Sequence, residues 1–308
     1  MSAGNVFRVM LAALLLVGSA VRAQPLLFRT YLASYGVDTN PCTLQAPCRL
    51  LPAALGAVAD GGEIWMLDSA NYNITPVNIG KSVTILAVPG AIGSILSQYN
   101  WPAVEIEFDN LKVTLRNVVI GPVVGAQPSS PGIGLSGASE LTIEDSVIEN
   151  LPYLGVGVGS GGRLKINNST LRNIGFFAVN LGNGASADIS GSRLLESAAA
   201  AVYAAGHTGT TTVSISDSII SGGGQGVMAA ASSGGAARIA ITRSTITRTG
   251  TALLCTGGGD NAIYVGDSLV AENNSAWSAS GCTIYTAGNN QFNANAGSSG
   301  AMTPLPLQ

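Results

Sequence analysis

The side chains best suited to acid–base chemistry in this sequence are Lys165, Asp188 and Glu144. About two dozen residues separate Lys165 from Asp188, and the same spacing separates Glu144 from Asn167. In a fold that repeats at this period, each pair would lie on neighbouring coils. A lysine beside carboxylates can act as a base, as β-elimination at a uronic acid requires. The alternative, which we favour, is an exposed ion-pair ladder contributing about 0–1 kcal/mol per pair.

Other charged residues follow a similar spacing. Asp217, Arg243 and Asp267 alternate in sign from one repeat to the next, and Glu149 stands one repeat before Arg172. Both patterns predict charge-matched stacking on the surface. The one histidine stands in the segment YAAGHTGTTT as His207. Histidine is a frequent general base, but this glycine- and threonine-rich context favours a solvent-exposed loop residue.

Two aromatic residues are candidates for contact with a ligand. Tyr153 and Phe176 are also one repeat apart, so they would share a column on which sugar rings could stack. Aromatic rings at equivalent positions also stabilise a fold by packing on each other. We favour packing and keep sugar binding as the alternative.

The elements that must position these residues come from an internal repeat. The pattern apolar-x-Ile-x-x-Ser-x-apolar recurs as LTIEDSVI, LKINNSTL, ADISGSRL, VSISDSII, IAITRSTI and IYVGDSLV. Self-similarity at about two dozen residues is typical of a solenoid, and the alternation of apolar and polar residues is that of strands. A second strand follows in each unit. The serines should form a hydrogen-bonded ladder rather than a catalytic site: Ser146, Ser169, Ser192, Ser218, Ser244 and Ser268.

The four cysteines predict two disulfides. Cys42 and Cys48 are close in sequence, whereas Cys255 and Cys282 are separated by about one coil. Neighbouring coils bring such Cα atoms within the range of a disulfide. A zinc site is the alternative, but four divided thiols with one histidine make a poor ligand set. We therefore predict no metal site.

The ends of the chain predict an exported protein with one domain. Residues 1–23 have the charge, apolar run and small residues of a signal peptide, with cleavage after Ala23. Residues 24–292 should form the domain, with a capping segment at about 41–62, a helix at about 52–59, coils at about 63–292 with the first strand near 63–67, and a flexible tail at 293–308. The leader contains two of the 14 basic residues and none of the 17 acidic ones, so the mature chain is more acidic than the full chain. This balance argues against nucleic acid as a partner, and we expect no membrane insertion after the leader is removed.

The chain resembles the secreted bacterial right-handed parallel β-helix proteins of the pectin-lyase-like superfamily. The segments YGVDTNPCTLQAPCRLLPAAL, GGEIWMLDSANY and KSVTILAVPG carry this resemblance, together with the later repeats. The resemblance implies an all-β right-handed parallel β-helix with a short N-terminal capping helix. It also implies a polysaccharide or other glycan as partner. The Asn-Thr-Asp and Gly-His-Gly motifs of the hydrolases and the Asp-Pro-His-Asp motif of the uronan epimerases are absent from this sequence.

We therefore expect a secreted or periplasmic, non-catalytic module that binds a glycan or belongs to the cell envelope. The alternative is a polysaccharide lyase-like or glycoside hydrolase-like enzyme acting on acidic polysaccharide, with Lys165, Asp188 and Glu144 as candidate catalytic residues. No cofactor is expected, except calcium under the lyase alternative, because clustered carboxylates could bind calcium and neutralise a uronate.

Overall fold

The protein is a parallel β-solenoid in which three short strands and the turns between them make one coil. The computed structural model describes residues 25–98, 101–125, 129, 131–232, 234–258 and 260–305, and the expected signal peptide lies outside these residues. Equivalent strands of successive coils pair in parallel. The predicted fold class is confirmed.

Three strand stacks run along the solenoid, here called sheets A, B and C. Sheet A contains β1 Leu27–Leu32, β2 Val58–Met66, β5 Val83–Ala87, β8 Lys112–Arg116, β11 Glu140–Glu144, β14 Arg163–Asn167, β17 Ser186–Ser190, β19 Gly209–Ser216, β21 Gly235–Thr242, β24 Ala262–Gly266, β27 Thr283–Thr286 and β29 Met302–Pro304. Sheet B contains β3 Ala70–Asn71, β6 Gly93–Ser97, β9 Val118–Pro122, β12 Val147–Glu149, β15 Thr170–Ile174, β22 Thr245–Thr247, β25 Leu269–Ala271 and β28 Gln291–Asn293. Sheet C contains β4 Val77–Asn78, β7 Val104–Ile106, β10 Ile133–Leu135, β13 Val156–Val158, β16 Phe177–Leu181, β23 Thr251–Thr256 and β26 Ser275–Ser280. Two longer strands, β18 Arg193–Ala204 and β20 Ile219–Ala229, pass through both B and C and join them.

The core consists of apolar columns that run along the inside of each sheet. Every second residue of a strand points inward, and the parallel register places equivalent residues of neighbouring coils next to each other. Each buried isoleucine or leucine contributes roughly 1.5–3 kcal/mol relative to an exposed one. One such column in sheet A is fully buried along its length: Leu115, Ile143, Ile166, Ile189, Ile215, Ile241 and Val265.

The turn from sheet A to sheet B explains both the serine ladder and the charged column before it. The residue before each serine has a left-handed backbone conformation. From the first of these residues, Asp145, to the last, Asp267, φ lies between 45° and 57°. Asn, Asp and Gly adopt this conformation at the least cost, and Asp217, Arg243 and Asp267 occupy it in turn. Each following serine is buried and donates to the carbonyl two residues before it, as Ser192 Oγ does to Ser190 O at 2.8 Å. From Ser169 onward, each serine Oγ also accepts from the serine amide of the preceding coil, and Ser146 Oγ accepts from Val118 N, which confirms the predicted ladder.

The N-terminal end is built differently from the prediction. The predicted capping helix is present as α1, Leu51–Ala57, but Val58 already begins β2, so the strand after the helix starts earlier than the predicted residues 63–67. A strand also precedes the helix, because β1 pairs in parallel with β2. The loop closed by the Cys42–Cys48 disulfide covers part of the β1 edge: Tyr31 N donates to Cys42 O at 2.8 Å, and Cys48 N donates to Tyr31 O at 3.0 Å.

The C-terminal end is more ordered than predicted. The expected flexible tail at 293–308 was wrong for residues 293–305, because β29 pairs with β27 and Met302 packs against the core. The predicted Cys255–Cys282 disulfide joins β23 to the residue before β27. Two disulfides indicate an oxidising compartment. No helix within the described part of the chain is long and apolar enough to cross a membrane.

Candidate functional site

The predicted acid–base group lies on the outer face of sheet A. Lys165 is in register with Asp188, and Glu144 is in register with Asn167, as the spacing predicted. Lys165 Nζ, however, forms its ion pair with Glu140 Oε1 at 3.1 Å, a carboxylate that the sequence did not single out. Glu144 pairs with Arg116 at 2.6 Å. The geometry is that of an ion-pair ladder, and a catalytic role for these residues stays a prediction.

The remaining charged candidates also lie on the surface. Arg243 and Asp217 form an ion pair at 2.8 Å, and this contact lowers the pKa of Asp217. Arg172 pairs with Glu149 at 2.5 Å. His207 is exposed, and its Nδ1 lies 2.7 Å from Ser232 Oγ. In the described part of the chain, no group of three or more His, Cys, Asp or Glu side chains could hold a metal ion.

The predicted aromatic column is present and longer than expected. The rings of Tyr153 and Phe176 are stacked, with centroids 5.6 Å apart and planes inclined by 8°. Phe177 continues the group at 4.1 Å from Phe176 and stacks on Tyr203 at 4.5 Å. Tyr153 and Phe176 are 38% and 39% exposed, so the group presents apolar surface to solvent. The group therefore spans three coils on the outside of sheet C.

The register of sheet C adds a tryptophan to the same side of the solenoid. Val104 of β7, Ile133 of β10, Val156 of β13 and Val179 of β16 follow one another in the ladder. Trp101 precedes Val104 by three positions, just as Tyr153 precedes Val156 and Phe176 precedes Val179. Trp101 is 64% exposed.

A cleft of about 560 Å³ lies beside Trp101. Its lining combines apolar rings with amide and carboxyl groups: Thr75, Pro76, Asn78, Trp101, Pro102, Glu105, Glu107 and Pro131. Asn78, Glu105 and Gly134 form one column across β4, β7 and β10. The Glu105 carboxyl lies where the side chain of residue 134 would stand, so a side chain at that position would displace the carboxyl. The cleft is therefore shaped by a carboxyl group folded over a glycine.

Glu105 has the most distinctive environment in this cleft. Its Oε1 accepts a hydrogen bond from Ser136 Oγ at 2.5 Å. Burial raises the pKa of Glu105, and the nearby Glu107 carboxylate raises it further, while the bond from Ser136 opposes the shift. A half-buried carboxyl with a raised pKa can accept hydrogen bonds from hydroxyl groups or donate a proton.

We define the aromatic strip as Trp101, Glu105, Glu107, Tyr153, Phe176, Phe177, Asn180 and Tyr203, together with the lining of the cleft. Its two ends, in the coils of β4 and β18, are separated by five coil steps, about 24 Å at about 4.8 Å per coil. The sequence indicated Tyr153 and Phe176 but missed Trp101, Glu105 and Glu107. The only signal for Trp101 was its position shortly before an apolar strand start. The first coils lack the regular spacing that would have made this position recognisable.

A second aromatic pair lies on another face. Tyr264 and Tyr285 of sheet A are stacked at 4.9 Å with planes inclined by 8°. They line a cleft of about 350 Å³ that also includes Arg238 and Asp260. Because this pair belongs to a different sheet, it offers a matched control for experiments on the aromatic strip.

Comparison with known proteins supports the fold. The model of the family described as "Right handed beta helix region" matches residues 103–296, more than half of the chain. No curated protein matches the chain in sequence.

Three solved structures share most of its architecture. Pectate lyase Pel9A superposes with a TM-score of 0.64 at 14% identity, covering 91% of this chain and 78% of the lyase. An alginate lyase from Paenibacillus sp. str. FPU-7 superposes with a TM-score of 0.62 at 14% identity, covering 90% of this chain and 100% of the lyase. XylC, solved in complex with xylose, superposes with a TM-score of 0.61 at 8% identity, covering 86% of this chain and 69% of XylC. At these identities the likeness concerns the fold, and from the family match we conclude that this chain belongs to the right-handed β-helix family.

Proposed function

We propose that this protein is an extracellular or cell-envelope module that binds a glycan along the aromatic strip. The observation that carries the proposal is the alignment, in the register of sheet C, of an exposed aromatic stack with a cleft lined by carboxyl and amide groups. Aromatic rings offer flat apolar surface for the C–H faces of sugars, whereas Asn78 and Glu105 can bond to hydroxyl groups. Such a combination of apolar lining and a few polar groups is typical of ligand sites.

The dimensions of the strip favour a chain of several sugar units over a single sugar. Trp101 lies in the turn before β7 and Tyr203 lies in β18, four coils further along. Solved structures with the same fold include a pectate lyase, an alginate lyase and a protein in complex with xylose. A carbohydrate partner is consistent with these likenesses. The proposed secreted or periplasmic location rests on the signal peptide predicted at residues 1–23 and on the disulfides.

The test is a binding assay with soluble polysaccharides, followed by single substitutions. We expect Trp101→Ala and Phe176→Ala each to weaken binding at least tenfold, a change of about 1.4 kcal/mol, because exposed aromatic anchors dominate such sites. Tyr285→Ala removes an equally stacked ring from sheet A and should leave the affinity unchanged. Equal losses in all three variants would contradict the proposal, as would the absence of any binding.

A glycoside hydrolase is the second candidate, favoured by the placement of Glu105 and Glu107. Hydrolysis requires one carboxyl group with a raised pKa as acid and a second as base or nucleophile, and Glu105 has the environment of the acid. Release of reducing ends that is lost in Glu105→Gln, with binding retained, would establish the hydrolase over the non-catalytic module.

The lyase alternative depends on a different face. It retains Lys165, Asp188 and Glu144 as candidate catalytic residues, with calcium as a possible cofactor. The corresponding assay follows ultraviolet absorbance of unsaturated products from acidic polysaccharides, with and without calcium. Activity that disappears in Lys165→Ala would favour the lyase and place the reaction on sheet A.

A further inference from the structure

We infer that the glycan bound by the aromatic strip is uncharged, and that polyuronates are excluded from it. This inference rests on the proposed function, since it specifies the class of ligand for the same site. It concerns the charge of the sugar units and not the bond that joins them.

The first argument is the charge of the strip itself. Its six coil segments are residues 74–80, 101–107, 131–136, 152–159, 175–182 and 198–205. Within them the charged residues are Glu105 and Glu107, and there is no Lys, Arg or His. A uronate carboxylate entering the cleft would therefore approach two carboxyl groups without a cation to offset the repulsion.

The second argument is that the cations nearest in sequence are already engaged elsewhere. Arg172 lies on sheet B and pairs with Glu149 at 2.5 Å. Lys81 follows β4, but its Nζ donates to the carbonyl oxygens of Leu55 at 2.9 Å and Val58 at 2.8 Å. Turning either cation toward the strip would break these contacts. A polyuronate carries a charge on every unit, so it would meet the acidic end of the strip in any register.

The third argument is that Glu105 is held in place. Its carboxyl lies over Gly134 and bonds to Ser136, so it cannot leave the cleft without losing that bond. A fixed carboxylate is a strong acceptor for the hydroxyl groups of a neutral sugar. Phe176, Phe177, Asn180 and Tyr203 continue the surface without charge, which suits a ligand that binds by apolar contact and hydroxyl bonding.

Sheet A provides the contrast within the same molecule. Its outer face carries Arg116 on β8 and Arg163 and Lys165 on β14, which pair with Glu144 and Glu140 of the intervening strand β11. Because this face has cations that the aromatic strip lacks, any polyuronate binding on it must be distinguished from binding on the strip. Lys165→Ala separates binding on that face from binding on the aromatic strip.

The experiment compares neutral polysaccharides (xylan, mannan and mixed-linkage glucan) with polygalacturonate and alginate. The probes are titrated at pH 8, low ionic strength and in EDTA, against the full mature chain and its variants. The pH is chosen because burial raises the pKa of Glu105 and the carboxyl must be ionised. Far-UV circular dichroism verifies that each variant is folded.

We expect a neutral polysaccharide to bind and to lose at least tenfold in affinity in Trp101→Ala. The polyuronates should bind at least tenfold more weakly than the neutral polysaccharide. The double variant Glu105→Gln, Glu107→Gln should reduce this difference in affinity several-fold. Tyr285→Ala, which removes a stacked ring on sheet A, should not change binding of the neutral ligand. Together these results would support the inference.

Two outcomes would overturn it, and they are distinguishable. Polyuronate binding that exceeds neutral binding and is lost in Trp101→Ala would reject an uncharged ligand while leaving glycan binding intact. Failure of a folded protein to bind any of the polysaccharides would reject the proposed function, and the inference with it.

Discussion

Replacing Ser192 by alanine tests whether the serine ladder stabilises the solenoid. Ser192 is 1% exposed. Its Oγ donates to Ser190 O at 2.8 Å and accepts from Ser169 N at 3.2 Å. Alanine removes both bonds and leaves the buried Ser169 amide without its side-chain acceptor. An unsatisfied buried donor costs about 1–3 kcal/mol, so we expect the free energy of unfolding to fall by about 2 kcal/mol.

The assay is urea unfolding followed by circular dichroism, with Ser214→Ala as the matched control. Ser214 lies on β19 in the next coil, but its side chain is exposed on the outer face of sheet A. Exposed substitutions of this kind stay within about 0.5 kcal/mol. The urea midpoints of Ser192→Ala and Ser214→Ala should therefore differ clearly, while the slopes of their unfolding transitions stay equal. A Ser192→Ala loss no larger than that of the exposed control would refute the argument that the ladder contributes to stability.

Three other predictions concern a strained turn, a half-buried carboxyl and a disulfide. Glu196 is exposed with φ 55°, where the equivalent residues of the two preceding coils are Asn150 and Asn173. Glu196→Asn should therefore raise the free energy of unfolding by up to about 1 kcal/mol, and an unchanged or lower urea midpoint would contradict this. Burial raises the pKa of Glu105 in the folded protein, so its ionised form opposes folding above that pKa, and the penalty disappears as the pH falls below the unfolded value. Glu105→Gln should thus stabilise the protein at pH 8, and the gain should shrink in acid; a gain that grows as the pH falls would contradict the assigned direction. The Cys255–Cys282 disulfide closes a loop with a sequence separation of 27. Replacing both cysteines by serine should therefore cost about 3 kcal/mol, measured by urea unfolding without reductant, and a double variant as stable as the wild type would contradict this.

The regular repeats made much of the fold predictable from sequence. From Leu141 onward, successive coils differ little in length, so equivalent positions align by eye. This spacing predicted the serine ladder, the Lys165–Asp188 register, the Arg172–Glu149 ion pair and the aromatic stack. Each of these depends on short-range rules: alternation along a strand, and stacking of the same position on the next coil.

The ends were harder to predict, because they do not repeat. β1 lies before the capping helix and contains Arg29, Thr30 and Tyr31, which break the apolar pattern of a strand. The last strand, Met302–Pro304, follows a run of Asn, Gly and Ser that has the composition of a flexible tail. Both strands form because a paired neighbour offers them hydrogen bonds, a condition that composition does not reveal.

The amino-acid sequence by itself determined the solenoid, its two disulfides and the columns of the central coils, because those follow from a periodic pattern. The tertiary structure decided the aromatic strip. The chain from Val83 to Val113, and again from Val113 to Leu141, is longer than the regular repeat, yet these residues occupy the same position in sheet A. Insertions in the turns absorb the extra length, and only backbone pairing restores the register. That pairing puts Glu105 and Gly134 in one column and gives Trp101 the same position as Tyr153 relative to its strand, since parallel strands align by their hydrogen bonds and not by their distance in sequence.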